Sequence, residues 1–173
     1  MSVAHAQREL LKLDEEIVRR DSRASFLQFC RHPDLFPGES PATHHEYMIQ
    51  ALERVYRGEI KRLMVLMPPG HGKSVYCSVR FPSWYLGNRP KQHLIHASYG
   101  GDLAANDGYK VRNLLDSEAY QQIFCGVRLS EDKQGKSDWA TNHNGEFFAI
   151  GVGGGVTDRR AHGSLLVDLV KHR

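Results

Sequence analysis

Residues 67–74 constrain the fold of this chain more than any other segment, because they read Met-Pro-Pro-Gly-His-Gly-Lys-Ser and follow the apolar residues 63–66. A bound phosphate needs converging backbone N–H donors, a glycine where a Cβ would block its approach, and a lysine that reaches the terminal phosphates. Gly72, Lys73 and Ser74 supply these parts. The usual phosphate-binding loop also has a glycine where this chain has Met67, so the spacing of the motif is imperfect.

The context of this loop favours a phosphate site over an ordinary strand-to-helix turn. Residues 62–67 are predicted to form a short buried strand, and residues 74–80 a helix whose N-terminal dipole end would face an anion. Strand, tight loop and helix in this order predict a bound nucleoside triphosphate. The predicted binding residues are Pro69, Gly70, His71, Gly72, Lys73 and Ser74.

The composition is that of a globular protein, with 173 residues of which 40% are hydrophobic and 25% are charged. The net charge of +3 permits nucleic acid as a partner without arguing for it. Three widely separated cysteines suit a reducing cytoplasm, and no apolar run approaches the roughly eighteen residues of a membrane span. We therefore expect a soluble cytoplasmic protein that does not contact a membrane.

Hydrophobic periodicity and turn residues predict an alternation of helices and strands. Helices are expected over residues 4–20, 24–31, 43–57, 74–80, 103–115 and 120–124, and strands over 62–67, 93–98, 139–141 and 146–150. This order predicts an α/β fold with a mainly parallel sheet flanked by helices. The apolar stripe of the first helix is expected to pack on its own domain in preference to a partner or a membrane.

Several local features refine this prediction. Thr43 and Glu46 fit a capping box at the start of the third helix. Residues 142–145 suit a hairpin turn, residues 130–135 a polar surface loop, and the glycine-rich residues 151–155 need backbone freedom. His44 with His45, and His93 with His96, do not converge well on one point, so no structural metal site is expected from them.

An acid suited to magnesium follows the apolar residues 165–167. Hydrolysis of a triphosphate on such a fold uses an acid on the metal and usually a second acid that positions the attacking water. Asp168 is followed by Leu169, so one acid stands where hydrolysis requires two. Nucleotide and magnesium binding are therefore predicted in preference to turnover. The alternative for Asp168 is a cap on a strand or helix.

Six ordered stretches of the chain resemble the N-terminal ATPase region of phage large terminase subunits, the motors that package DNA into the heads of tailed phages. They are RLMVLMPPGHGKS at 62–74, FPSWYLGNRP at 81–90, HLIHASYGGDLA at 93–104, KVRNLL at 110–115, WAT at 139–141 and GVGGGVTDRRA at 151–161. The deviant phosphate-binding loop of that family also has a non-glycine residue where this chain has Met67.

The resemblance implies an additional-strand P-loop NTPase (Walker A) fold that is incomplete at its C-terminal end. It implies an N-terminal helical segment over residues 1–42 and a partial ATPase domain over residues 43–173. ATP and Mg²⁺ are the implied ligands: Gly72, Lys73 and Ser74 would hold the phosphates, Ser74 and Asp168 the metal, and Asp168 would be the catalytic acid. Double-stranded DNA, a small terminase subunit, a portal and a possible homo-oligomer are the implied partners, in the cytoplasm of a bacterial host of a phage or prophage.

The chain departs from the family pattern at functional positions. The family commonly has an arginine at the position of Gly70, whose loss weakens charge stabilisation during phosphoryl transfer. After Thr157 the family reads Gly-Arg-Gly, whereas this chain has Asp158, Arg159 and Arg160. These side chains stand where glycine would give backbone freedom.

The second acidic motif can be aligned in two registers. Aligning Lys171 with the family's lysine makes Asp168 the second acid and Val167 a replacement for the first. Reading from the apolar strand instead makes Asp168 the acid on magnesium. Either register lacks one carboxylate.

The family's coupling motif, the remaining strands of its sheet and its RNase-H-like nuclease domain have no counterpart in this sequence. We therefore expect a truncated terminase reading frame, such as a prophage remnant, or a fragment of one, with impaired hydrolysis. The alternatives are a non-catalytic interaction module that contacts packaging partners, and a different nucleotide enzyme such as a small kinase.

Overall fold

The computed structural model describes residues 3–155 and 160–167 of the chain, which form an α/β fold of helices around a mixed five-stranded sheet. The helices are α1 (Val3–Ala24), α2 (Phe26–Cys30), α3 (Thr43–Tyr56), α4 (Phe81–Asn88), α5 (Gly101–Asp116) and α6 (Glu118–Ile123). A π-helical segment, Val75–Arg80, leads directly into α4. The strands are β1 (His93–Ser98), β2 (Leu129–Gln134), β3 (Asp138–Thr141), β4 (Glu146–Gly151) and β5 (Gly163–Val167).

The sheet has the strand order β2-β3-β4-β1-β5. Strand β1 lies parallel to β4 and β5, whereas β3 lies antiparallel to both β2 and β4. The predicted hairpin at residues 142–145 is confirmed, and Asn144 reverses the chain there with a φ of 64°. Because this hairpin returns β4 along β3, the expectation of a mainly parallel sheet is wrong, and the sheet is mixed.

Aromatic side chains form much of the core. The rings of Phe26 and Trp84 lie 5.4 Å apart and join α2 to α4. On the sheet, Trp139 stacks on Phe147 with ring centroids 5.1 Å apart and donates a hydrogen bond of 3.1 Å from Nε1 to the carbonyl of Gly108 on α5. Helix α5 thus covers one face of the sheet and fixes the position of β3.

Helix α1 joins the body of the molecule only through its last turns. Residues 4–18 are exposed, and the first buried residue is Ser22. The carbonyl of Ser22 accepts a hydrogen bond of 3.0 Å from Trp84 Nε1, and Arg23 donates one of 2.8 Å to the carbonyl of Ile123. The predicted helix is confirmed, but its apolar stripe does not pack on the domain as expected.

Residues 62–67 do not form the predicted buried strand. Met64 and Leu66 are 81% and 85% exposed, and none of the described strands pairs with this segment. An apolar run becomes a strand only when a neighbouring strand supplies its hydrogen bonds. Within the described residues β5 is the edge strand of the sheet, and residues 62–67 do not pair with it, so the segment stays outside the sheet.

Two smaller predictions are also corrected. Residues 130–135 are mostly strand and not loop, because β2 pairs with β3 at Leu129 and Gln134. Helix α3 begins at Thr43 as predicted, but its first turn is capped differently: the ring of His45 accepts the backbone N–H of Ala42 at 3.1 Å. No described helix is long and apolar enough to cross a membrane.

Candidate functional site

The predicted phosphate-binding loop is an exposed turn that leads into a helix. Gly70 and Gly72 have φ values of 80° and 73°, in the left-handed region that glycine adopts at little cost. The chain is helical from Lys73, and the carbonyl of Gly72 accepts the N–H of Tyr76 at 3.2 Å. The order of tight loop and helix is confirmed, although the strand expected before them is absent from the described structure.

His45 on α3 supports this loop through a hydrogen bond to its backbone. Because the N–H of Ala42 donates to its Nδ1, the neutral ring carries its proton on Nε2, which donates to the carbonyl of His71 at 3.0 Å. His71 in turn donates from Nδ1 to the carbonyl of Pro69 at 2.9 Å. The first hydrogen bond holds a loop carbonyl from the neighbouring helix α3, and the second lies within the loop itself.

Gly72 leaves little room beside this support. A Cβ built on it would lie 3.0 Å from Nε2 of His45 and 3.4 Å from the ring of Tyr76. At Gly70, by contrast, a Cβ would meet no atom within 4 Å. The loop is therefore tightly packed at Gly72 and open to solvent at Gly70.

An open cleft of about 480 Å³ lies beside the loop. Its walls include Gly70, Gly72, Glu39 and Tyr76 together with the rings of His44 and His45, whose centroids lie 3.9 Å apart. The pKa of His44 is lowered by loss of hydration and by its neighbours His45 and His71. The volume falls in the range of small-ligand sites.

Lys73 and Ser74 occupy the first helical turn after the loop, and both are half-buried. Their backbone N–H groups belong to the N-terminal end of a helix that runs without a break to Asn88. Burial raises the pKa of the Cys77 thiol to about 11, and the positive charge of Lys73 offsets part of this rise. The positive charge of Lys73 therefore acts on a thiol that lies one turn further along the helix.

The π-helical segment is anchored by Arg80, which is 2% exposed. Its guanidinium lies 3.8 Å from the ring centroid of Phe36 and 4.8 Å from that of Tyr76, and it forms an ion pair with Glu39. Within the described residues, Nη1 of Arg80 has no hydrogen-bond partner. Since π-turns inside helices occur often at functional sites, the irregular start of this helix is consistent with a binding role for the loop before it.

The predicted magnesium acid, Asp168, lies outside the described residues. The strand before it is described: β5 ends at Val167 and packs against the π-helical segment. The structure thus brings the strand that leads to Asp168 close to the helix that begins with Lys73 and Ser74. Among the described residues, no group of three His, Cys, Asp or Glu side chains could hold a metal ion.

The glycine-rich residues 151–155 begin with the last residue of β4, Gly151, which lies against the N-terminal end of α5. A Cβ on Gly151 would lie 2.5 Å from the backbone nitrogen of Gly101, and Gly153 has a φ of 88°. The predicted need for backbone freedom is confirmed at Gly153, whereas Gly151 allows the close approach of its backbone to Gly101. Thr157, Asp158 and Arg159 lie outside the described residues.

Sequence reasoning missed one buried ionisable pair. His96 on β1 is fully buried, and its Nε2 lies 3.3 Å from Oδ2 of Asp107 on α5. Neither ring nitrogen of His96 makes a hydrogen bond to a described residue. In the structure β1 alternates between half-buried and buried residues and His96 is one of the buried ones, but a single histidine gives no signal of its partner in sequence.

Comparisons of the chain with protein-family models, with curated proteins and with solved structures found no significant match. The terminase resemblance therefore stays a prediction from the six sequence stretches.

Proposed function

We propose that this chain binds ATP and Mg²⁺ through the loop at residues 69–74, as the ATPase region of a phage large terminase subunit with impaired hydrolysis. The observation that carries the proposal is the loop itself, where two glycines with positive φ lead into a helix that begins at Lys73. Helix N-termini of this kind bind phosphate through their free N–H groups and dipole.

The residues present fit a triphosphate. The space beside Gly70 is open, since a Cβ there would meet nothing within 4 Å. The adjoining cleft of about 480 Å³ is large enough for a small ligand. In this proposal the N–H groups of Gly72, Lys73 and Ser74 and the ammonium of Lys73 hold the phosphates. Ser74 and Asp168 hold the magnesium ion, which would neutralise phosphate charge.

Impaired hydrolysis is proposed on two grounds. Leu169 follows Asp168, so a second acid to orient the attacking water is missing at this point. Gly70 supplies no cation where the resembling family commonly has arginine. Each loss lowers transition-state stabilisation more than ground-state binding.

The partners remain part of the proposal. By the resemblance they are double-stranded DNA, a small terminase subunit and a portal, within the cytoplasm of a bacterial host. A second candidate function, a non-catalytic interaction module, is supported by the exposed apolar side chains of α1.

Titration calorimetry with ATP and magnesium tests the first proposal. Lys73→Ala is expected to weaken binding at least about tenfold, because a charge-assisted contact to phosphate is lost. Lys91→Ala, which changes an exposed lysine outside the loop, is the matched control. Circular dichroism establishes that both variants fold.

Two results would contradict parts of the proposal separately. A folded chain that binds no ATP would remove nucleotide binding and favour the interaction module. Phosphate release by the unchanged chain that Lys73→Ala abolishes would refute impaired hydrolysis. The proposal of nucleotide binding would stand.

A further inference from the structure

The exposed part of α1 is a helix without a partner in the described structure. Residues 4–18 are all exposed and span about 22 Å at 1.5 Å per residue. Arg19 makes the first side-chain hydrogen bond between α1 and the body of the described structure, and its Nη2 lies 3.4 Å from Oε1 of Gln122. Residues 4–18 therefore project from the body of the described structure.

One face of this helix carries five large apolar side chains. Leu10, Leu13 and Ile17 follow the i, i+3, i+7 spacing of anchor residues, and Leu11 and Val18 lie one position further round. Their exposed fractions are 61% for Leu10, 61% for Leu11, 59% for Leu13, 46% for Ile17 and 41% for Val18. A contiguous apolar face on a projecting helix is typical of a helix that docks onto a partner.

Asp14 lies in the centre of this apolar face. Its neighbours at i−4, i−3, i+3 and i+4 are Leu10, Leu11, Ile17 and Val18. Any partner that covers the face must therefore also cover the carboxylate. Burying a carboxylate without a cation or hydrogen-bond donors is strongly unfavourable.

Asp14 differs from the other acids of α1 in its ion pairing. The other four acids each have a basic partner in the helix: Glu9 with Lys12, Glu15 with Arg19, Glu16 with Arg23, and Asp21 with Arg20. Asp14 has no ion pair with any residue in the described part of the chain. Its charge is therefore available to a cation on a partner.

This charge argues against two other occupants of the face. A membrane surface would place Asp14 against hydrocarbon, and α1 carries as many acidic as basic residues, whereas interfacial helices are typically rich in lysine and arginine. A second copy of the chain, paired symmetrically about residue 14, would bring two Asp14 carboxylates together.

We propose that α1 is a docking helix for an amphipathic helix of a partner protein, which presents a lysine or arginine to Asp14 within its apolar stripe. Leu10, Leu13 and Ile17 anchor the partner, and the pairing of Asp14 sets its position along the helix. The proposal is independent of nucleotide binding, since none of these residues lines the cleft beside the loop.

Two designed helical peptides test the proposal by fluorescence anisotropy with the full chain. Both carry the same leucine stripe, and one has a lysine and the other a glutamate at its centre, so that either orientation brings the central residue to Asp14. The lysine peptide is expected to bind at least about tenfold more tightly than the glutamate peptide. Asp14→Lys should reverse this preference.

The matched control is Glu16→Lys, which makes the same change in charge on the far side of the helix and should preserve the preference for the lysine peptide. Leu10→Ser should abolish binding of both peptides while ATP binding stays unchanged. Equal binding of the two peptides, or no binding of either, would overturn the proposal.

Sedimentation experiments address the two rejected occupants. The chain is not expected to self-associate through this face. It is also not expected to pellet with phosphatidylcholine–phosphatidylserine vesicles. Self-association or pelleting that Leu10→Ser abolishes would assign the face to a second copy or to a membrane and would overturn the proposal.

Discussion

Gly72 of the candidate loop lies close to the ring of His45. A Cβ on Gly72 would lie 3.0 Å from Nε2 of His45, so the imidazole would have to shift slightly to admit it. The same ring donates to the carbonyl of His71. Backbone conformation and packing therefore constrain Gly72 together. At Gly70 only the backbone conformation constrains the residue.

This difference predicts distinct effects of two alanine substitutions. Gly70→Ala should lower the free energy of unfolding by about 1 kcal/mol, because alanine is strained at positive φ. Gly72→Ala should lower it by about 2 kcal/mol or more, since it carries the same strain and also displaces His45. Urea denaturation of the two variants measures both values.

The matched pair separates packing from backbone strain. Equal losses in the two variants would show that His45 offers no steric resistance to a Cβ at position 72. Gly72→Ala should also weaken ATP binding more than Gly70→Ala does, which calorimetry would measure.

At the scale of elements, local patterns identified the helices and the hairpin better than the sheet. The predicted strand at residues 93–98 coincides with β1, and the turn at 142–145 joins β3 to β4, because spacing and turn residues act locally. Residues 62–67 and 130–135 were assigned wrongly since strand formation depends on distant partners. Hydrophobicity did not indicate which segments would find them.

The candidate site shows the same limit. The glycines, Lys73 and Ser74 could be predicted as candidate residues because the spacing typical of a phosphate-binding loop is local in sequence. The support from His45 could not, since it joins residues 26 positions apart through a ring nitrogen and a carbonyl. The residues His44 and His45 were noted in the sequence, but as poor metal ligands and not as part of the loop.

The π-helical segment can be monitored through its own cysteine. Burial raises the pKa of Cys77 to about 11 and that of Cys30 further, whereas Cys125 is exposed. At pH 8 only about 0.1% of Cys77 is thiolate, so Cys125 should react with a thiol reagent at least about 100-fold faster than the two buried cysteines. Absorbance during labelling with a chromogenic disulfide gives the rates.

The same labelling tests whether the loop and the segment are coupled. Cys125→Ser should remove the fast phase and leave the slow phases. ATP with magnesium should slow the reaction of Cys77 further, because Cys77 lies one turn beyond Lys73. Two fast-reacting thiols in the folded chain would contradict the burial of Cys77 or of Cys30.

At the scale of the whole molecule, α1 has two parts with different roles. Its last turn belongs to the core. The carbonyls of Ser22 and Arg23 accept hydrogen bonds from side chains of α4, and the guanidinium of Arg23 donates one to the last residue of α6. Residues 4–18, by contrast, are all exposed. The boundary between docking and folding therefore falls inside one continuous helix.

This boundary predicts opposite outcomes for two truncations. A chain that begins at residue 18 should unfold within about 1 kcal/mol of the full chain, because the deleted residues are exposed. A chain that begins at residue 25 should lose at least about 3 kcal/mol. It lacks the carbonyls that accept Trp84 Nε1 at 3.0 Å and Asn88 Nδ2 at 3.1 Å, and the Arg23 donor to Ile123 at 2.8 Å. Urea denaturation followed by the fluorescence of Trp84 and Trp139 measures both, and equal losses would place the boundary elsewhere.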